Sequence, residues 1–465
     1  MKHISPAVIL LFSFIFITSA NAQLRLPAVI SSGMVLQQKD SVSLWGWSGP
    51  GSKVYITTSW NKATDSTVTS NGATWSIKVA TPAAGGPYDI VISSGDTIRL
   101  ADVMIGEVWV CSGQSNMEWS FYNGEKDISA EFANPANKNI RFFHVPKSTS
   151  QYPQDDVKAK WVVCDSNTMK SFSAVAYFFG KKITSDLNIP VGLINSSWGG
   201  TPAEVWTPAE LIEKDPELFA ATDKLNKTSS GWPWLQGIAY NAMIAPLINY
   251  RIAGALWYQG ESNVSANTTY SKLLTTMIDA WREKWNKQFP FYYVQIAPYS
   301  YGDSNINGAL LQEAQTKTMS HPNVGMVVIT DLIDSVTNIH PSHKREVGYR
   351  LANWALAQTY HRNGIAYRSP QFEKAEKKSN KVELSFTNAP SGLKSTGKTI
   401  KGFTITDTSG HWYPAEARII GNKIVVSNKR VKDPGEVRYA FTNTLVGNVS
   451  SAEGLPLTPF RTGHL

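Results

Sequence analysis

The sequence predicts an α/β protein: a doubly wound parallel sheet flanked by N-terminal and C-terminal β-rich, sandwich-like segments. Two patterns carry the prediction. Between Val103 and Arg368, apolar strands alternate with helix-period stretches, as a parallel sheet covered on both faces requires. On either side, short alternating strands are separated by Gly, Pro, Ser and Asn. The 465 residues suggest two or three domains, and 42% hydrophobic against 17% charged residues is a globular composition.

Residues 1–22 read as a secretory signal peptide. Lys2 and His3 precede an apolar run from Ala7 to Thr18, and Ser19-Ala-Asn-Ala22 closes it with small residues. The run is shorter than the roughly 20 apolar residues a membrane span needs, and no later segment is longer. Cleavage after Ala22 and a secreted or periplasmic protein are the expectation, with no membrane span.

Residues 23–102 then read as a β domain with strands at Val42–Trp47, Lys53–Thr58, Thr74–Val79, Tyr88–Ile92 and Thr97–Leu100. Residues 103–368 form the α/β domain. Its strands are predicted at Val108–Cys111, Val191–Asn195, Ala253–Tyr258, Phe291–Ile296 and Val324–Thr330. Its helices are predicted near Ala174–Leu187, Ile238–Asn249, Tyr270–Trp285, Ala309–Met319 and Lys344–Tyr360. From 369 to 465 the β pattern returns, at Lys381–Phe386, Ile400–Ile405, Ala415–Ile420, Lys423–Val426 and Glu436–Phe441.

Ligands of such sheets bind beyond the carboxyl ends of the strands, so those ends carry the functional reading. The first strand runs into Gly113-Gln-Ser-Asn116, and the second into Ser196-Ser-Trp-Gly-Gly-Thr201. The third ends in Gln259-Gly-Glu-Ser-Asn263, and the last leads through Asp331-Leu-Ile-Asp334 to Asn338-Ile-His-Pro341. A hydroxyl, paired glycines, an amide and a histidine at one rim are the parts of an acyl-transfer site. Ser115 is the candidate nucleophile, and His340 is the base it needs near neutral pH. The Ser115 N–H, an N–H at Gly199 or Gly200, and the Gln259 amide are candidate donors to an oxyanion. Singly these signals are weak: a lone Ser or His is usually structural, and Gly-Gly is usually a turn.

Composition removes other classes. The formal charge of +8 is scattered, with Lys374, Lys377 and Lys378 the densest cluster, so nucleic-acid binding gains no support. Cys111 and Cys164 have no CxxC pairing, and no HExxH, EF-hand or Walker pattern occurs. Chemistry without metal or cofactor is expected. A disulfide is permitted in an exported chain, but Cys111 inside an apolar strand suits a buried free thiol at least as well. Sixteen Trp hint at sugar contacts, although most Trp residues are core.

Four motifs taken together resemble the sialate O-acetylesterases, a branch of the SGNH/GDSL hydrolases. They are Gly113-Gln-Ser-Asn-Met-Glu-Trp119, Ser197-Trp-Gly-Gly-Thr-Pro-Ala-Glu-Val-Trp206, Trp257-Tyr-Gln-Gly-Glu-Ser-Asn263, and Ile339-His-Pro341 with Lys344. The likeness extends to Gly33-Met-Val-Leu-Gln37 with Trp45-Gly-Trp47, and to Glu453-Gly-Leu-Pro-Leu-Thr-Pro-Phe-Arg461. It implies a serine esterase removing O-acetyl groups from a sugar, with Ser115 as nucleophile, His340 as base, and oxyanion donors around Ser115, Gly199 or Gly200, and Gln259.

One position departs from the pattern. Many SGNH enzymes carry Asp three residues before the catalytic His, and here Thr337 stands there. Asp334 reaches His340 only if the loop folds back; otherwise a backbone carbonyl near Thr337 or Asn338 holds the imidazole, and the site is a Ser-His dyad, the reading slightly favoured. Glu261 reads as a hydrogen-bonding structural residue, Glu118 and Glu204 as braces, and His343 as exposed. Trp119, Trp198 and Trp206 are candidates for a sugar pocket or for core. Two further functions stay open: an acetylesterase on sugars such as acetylated xylan, and an inactive carbohydrate-binding protein, which would be expected to lack Ser115 or His340.

Overall fold

A computed structural model describes residues 23–134, 136–302 and 306–463; the predicted leader lies outside them. Seven strands build the central sheet: β1 (Asp96–Gly113), β2 (Asn137–His144), β3 (Trp161–Cys164), β4 (Val191–Ser197), β5 (Gly254–Tyr258), β6 (Phe291–Val294) and β7 (Val324–Val327). Their order is β7-β6-β5-β1-β4-β2-β3, and every neighbouring pair is parallel except β2 with β3. Every residue of β4, β5 and β6 is buried. Helices cover both faces, which is why these strands are buried throughout and mostly apolar, with Asn195, Ser196 and Ser197 only at the end of β4. The observed architecture is the predicted α/β class.

The helices that carry the site or cover the sheet include α1 (Ser115–Glu118), α2 (Ala174–Leu187), α3 (Asn267–Lys284), α4 (Asn307–Thr318) and α5 (Lys344–Trp354). Helices α2 and α5 pack on one face, contributing Val175, Phe178, Phe179, Val347 and Leu351 to its core. Helices α3 and α4 pack on the other, through Leu273, Leu274, Trp281 and Leu311. Ser173 caps α2 by accepting the Ala176 N–H, and Asn188 in the left-handed region ends it.

Three elements differ from expectation. The helix predicted at 238–249 is a π turn, Tyr240–Ile244, followed by a 3-10 turn, Ala245–Leu247; Pro246 supplies no N–H to continue a regular helix. Strands β2 and β3 carry no clean signal, because β2 begins with polar residues and includes Arg141, and β3 has only four residues. The third difference is at the expected boundary after 102, which falls inside β1. That strand pairs with Gly85–Ser94 in its first part, and with β4 and β5 in its second. The first pairing runs as far as Ile105 and the second begins at Glu107; within the first part, Asp102 has a left-handed backbone (φ 58°) and its carboxylate takes 2.6 and 3.0 Å hydrogen bonds from the buried Arg141 guanidinium.

The N-terminal strands share a core with the α3 face: Leu44 and Trp45 lie in one cluster with Tyr250, Trp257 and Trp281. The C-terminal strands form two four-stranded sheets and one two-stranded sheet around their own core, which includes Val382, Leu384, Ile405, Val426 and Val437. Arg461 ties them to α4 by two bonds to Glu313, at 2.8 and 2.9 Å. Cys111 and Cys164 are both buried free thiols, and burial pushes the Cys164 thiol up to about 12. Among the described residues, no helix is long and apolar enough to cross a membrane.

At the carboxyl end of β1 the backbones crowd. Gly113 has φ +134°, and a Cβ there would stand 2.3 Å from the Tyr258 carbonyl oxygen. Gly113→Ala should therefore lower unfolding free energy by about 1–3 kcal/mol, the usual cost of overpacking. Denaturant titration reads this as a lower midpoint, and an unchanged midpoint would refute the crowding argument.

Candidate active site

Ser115 is the first residue of α1, directly beyond the β1 terminus. The turn before it is pinned from both sides: the Gln114 N–H donates to the Tyr258 carbonyl at 3.0 Å, and the Trp198 N–H donates to the Gly113 carbonyl at 3.0 Å. Ser115 Oγ and His340 Nε2 lie 2.9 Å apart, although 225 residues separate them. The His340 backbone N–H donates to Asn338 Oδ1 (3.0 Å), which shapes the loop after β7. Trp119 lies over the imidazole, with ring centroids 3.8 Å apart and planes within 17°. Burial, and then the charge of Lys344, hold the His340 pKa down at about 4, so its ring is neutral and able to accept a proton at physiological pH.

A serine hydroxyl bonded to a neutral histidine, beside backbone N–H groups at a helix start, can carry out acyl transfer. Residues 105–357 match the family model of carbohydrate esterases described as sialic acid-specific acetylesterase. The chain belongs to this family. It is accordingly a carboxylic ester hydrolase. Among relatives, mouse sialate O-acetylesterase is 28% identical over 91% of this chain and 90% of its own length. The human enzyme of the same name is 29% identical, over 87% of this chain and 84% of its own. A carbohydrate acetylesterase from Xanthomonas citri has the same fold, with TM-score 0.86, 32% identity, and coverage of 95% of this chain and 99% of its own.

Within this esterase, the candidate oxyanion donors separate. The Gly199 N–H is taken by Glu118 Oε2 at 2.6 Å, while Glu118 Oε1 pairs with Lys147 at 2.6 Å. Glu118 thus braces two motifs, as expected, but occupies a predicted donor. Gly200 stands in the left-handed region (φ +80°) against the Trp232 indole, where a Cβ would fall 2.3 Å from a ring carbon. Among the described residues, the N–H groups of Ser115 and Gly200 have no acceptor. Gln259 is fully buried, and its bonds point elsewhere: Nε2 donates to Thr201 O (3.2 Å) and Asn263 Oδ1 (2.8 Å), and Oε1 accepts from Tyr270 (2.8 Å). Its amide therefore fastens the loop after β5 to the loop after β4, and the expectation that it faces an oxyanion is corrected. Glu204 completes that fastening by accepting from Asn263 Nδ2 at 2.8 Å.

Asp334 also departs from its suggested role. Its carboxylate accepts the Ser342 N–H (2.9 Å) and hydroxyl (2.7 Å), and faces the exposed His343 at 3.6 Å. No hydrogen bond joins it to His340 among the described residues. The fold-back of the loop does occur, but it brings Asp334 to Ser342 rather than to the imidazole.

Sequence reasoning missed two other contacts. Trp119 is neither core nor free pocket wall but the plate against which the base lies. Asn116 is fully buried, with Oδ1 accepting from Lys344 Nζ (2.7 Å), and Nδ2 donating to Glu261 Oε1 (2.7 Å) and Ile339 O (3.0 Å). Three charge-bearing or amide residues inside motifs, Asn116, Glu261 and Lys344, were visible, but their mutual contact was not.

Two outcomes follow. Asp334→Asn should leave turnover within about threefold, since an orienting carboxylate would instead be worth orders of magnitude; acetate-release kinetics decide it. The His340 ring should titrate near 4 by NMR, against the ordinary 6.5. Because its pKa is depressed on folding, its contribution to stability is complete above about 6.5 and is lost as pH falls from there through about 4. An ordinary titration midpoint would contradict the burial described.

Proposed function

We propose that this protein is an exported serine esterase that removes O-acetyl groups from sialic acid. The observation that carries the reading is the 2.9 Å bond between Ser115 Oγ and His340 Nε2 at the sheet rim of a chain in the sialic acid-specific acetylesterase family. Ser115 attacks the acetyl carbonyl as His340 removes its proton. The oxyanion settles against the Ser115 and Gly200 N–H groups, which no acceptor among the described residues occupies. The imidazolium then protonates the departing sugar oxygen. Water, activated by His340, releases acetate from the acyl-enzyme.

No carboxylate orients the base in this scheme, so Ser115 and His340 act as a dyad. The face of Trp119 fixes the ring plane and favours the transient imidazolium by a cation–π contact, worth about 0.5–2 kcal/mol. Beside the site, a cavity of about 400 Å³ is lined by Gly200, Ser262, Trp232, Tyr301 and Lys224. Trp232 and Tyr301 give it an aromatic wall that suits a sugar ring, and its charged lining residues are Lys224 and Glu261, so the choice of sialate over neutral xylan rests on the family match. The leader predicted at residues 1–22 supports export.

The test is acetate release from O-acetylated sialic acid and from acetylated xylan oligomers, with Ser115→Ala alongside. The sialate should be the better substrate, and the variant should lose at least about 10³-fold in kcat. Faster release from xylan would transfer the substrate assignment to neutral polysaccharide. A wild-type protein inert towards both, and towards a simple aryl acetate, would point to carbohydrate binding without catalysis.

A further inference from the structure

The nucleophile and base come from segments far apart in the chain, and one buried amide joins them. Asn116 follows Ser115, and its Nδ2 donates to the carbonyl of Ile339, the residue before His340. The second Nδ2 hydrogen goes to Glu261 Oε1, on the loop after β5, and Oδ1 accepts from Lys344 Nζ at the start of α5. Both donors of this amide are used, and its direction is fixed. Turned over, it would set its oxygen against a carboxylate and a carbonyl, and its NH₂ against an ammonium.

Lys344 is fully buried, an expensive place for an ammonium. If stability were the only purpose, Lys344, Glu261 and Glu125 could all be apolar together, because replacing a whole buried ion cluster by packed hydrophobic groups is often neutral or favourable. A charge kept here, one amide away from both reacting residues, calls for another reason.

We propose that Lys344 is a positioning residue for ester hydrolysis: through Asn116 it clamps the Ser115 turn to the His340 loop and keeps the two reacting groups in hydrogen-bonding register. The inference rests on reading Ser115 as nucleophile and His340 as base. A second consequence is electrostatic. Lys344 is faced by Glu261 after β5, Glu125 after α1, Asp334 in the loop before His340, and the Tyr258 ring at 5.4 Å. His340 is faced by Lys344 and stacked by Trp119, with Glu118 held at the nearby Gly199. Removing the ammonium removes the charge that opposes His340 protonation, so the acid limb of kcat/KM moves to higher pH.

The experiment compares wild type, Lys344→Met, Asn116→Ala and the double variant. Readouts are kcat and KM on an aryl acetate, the pH profile, and the rate of inactivation by a fluorophosphonate, which needs an aligned Ser-His pair but no sugar contacts. Lys344→Met should lower kcat and the inactivation rate together by at least about tenfold, with KM within about twofold, as misalignment of reacting atoms does. Its acid limb should rise in pH, and the double variant should be no slower than Asn116→Ala alone. A kcat within twofold of wild type, a change confined to KM, or multiplying effects in the double variant would overturn the proposal. If Lys344→Met does not fold, Asn116→Ala carries the test, and near-normal kcat there overturns it equally. Acetate release surviving in Ser115→Ala would remove the underlying reading and this inference with it. An inert Ser115→Ala beside a fully active Lys344→Met would overturn the inference alone.

Discussion

A side chain at position 113 would press on the Tyr258 backbone, and the active-site rim depends on the close approach that glycine allows there. Gly113 pairs with Tyr258 of β5 on one side and Ser197 of β4 on the other, in the last register of each ladder. The Gln114 and Trp198 N–H groups close the same three strand ends with backbone bonds. Because the strands are parallel and end together, the turns that follow them leave in the same direction and meet over one small area. A hydroxyl, a Gly-Gly turn and a Gln-Gly-Glu turn become neighbours through backbone geometry before any side-chain contact is made.

Charge in a dry site is the second constraint. Lys344, Glu261 and Glu125 lie close together; burial pushes both carboxyls up, and pushes the Lys344 ammonium down to about 8. Among the described residues, Glu261 Oε2 and Glu125 Oε2 have no hydrogen-bond partner. Breaking up such a cluster by removing one partner leaves an uncompensated charge and costs about 3–5 kcal/mol, far more than any exposed ion pair would. The helix-terminal Lys344 and the strand-terminal Glu261 therefore restrain each other, and with them the loops to which His340 and Ser115 are attached.

The secondary structure that reads clearly in the sequence is that dominated by burial. Helix Ala174–Leu187 has a Ser cap, an apolar stripe and an Asn stop, and it occupies the span its pattern predicts. The strand ends bearing Ser115, Gly200 and His340 were legible for the same reason, since continuous apolar runs reveal a parallel sheet and its rim. The failures are of another kind. Gln259 stands at the right rim, but Tyr270 on α3 and Asn263 on its own loop claim its amide. Asp334 lies close in sequence to His340, but Ser342 provides it with two nearer donors. Spacing along a chain states which turns share a surface. It does not state which of several polar neighbours a side chain will choose, because that depends on partners from elements far away in sequence.

Among the described residues no carboxylate bonds to His340, and this bears on what the proposed dyad would do best. An Asp beside His raises the basicity of the imidazole, which helps it take the serine proton. Here Lys344 and burial act in the opposite direction, and His340 is a weak base. Its conjugate imidazolium is correspondingly a strong acid. In ester cleavage from a sugar, the departing group is a poorly stabilised alkoxide, and collapse of the tetrahedral intermediate is helped by an acid that gives up its proton readily. Easier protonation of the leaving oxygen offsets part of what is lost in deprotonating Ser115, while Trp119 holds the ring in place through both transfers. A site arranged this way suits an acetyl ester, whose carbonyl is reactive enough for a weakly assisted serine, better than an amide, whose carbonyl is not.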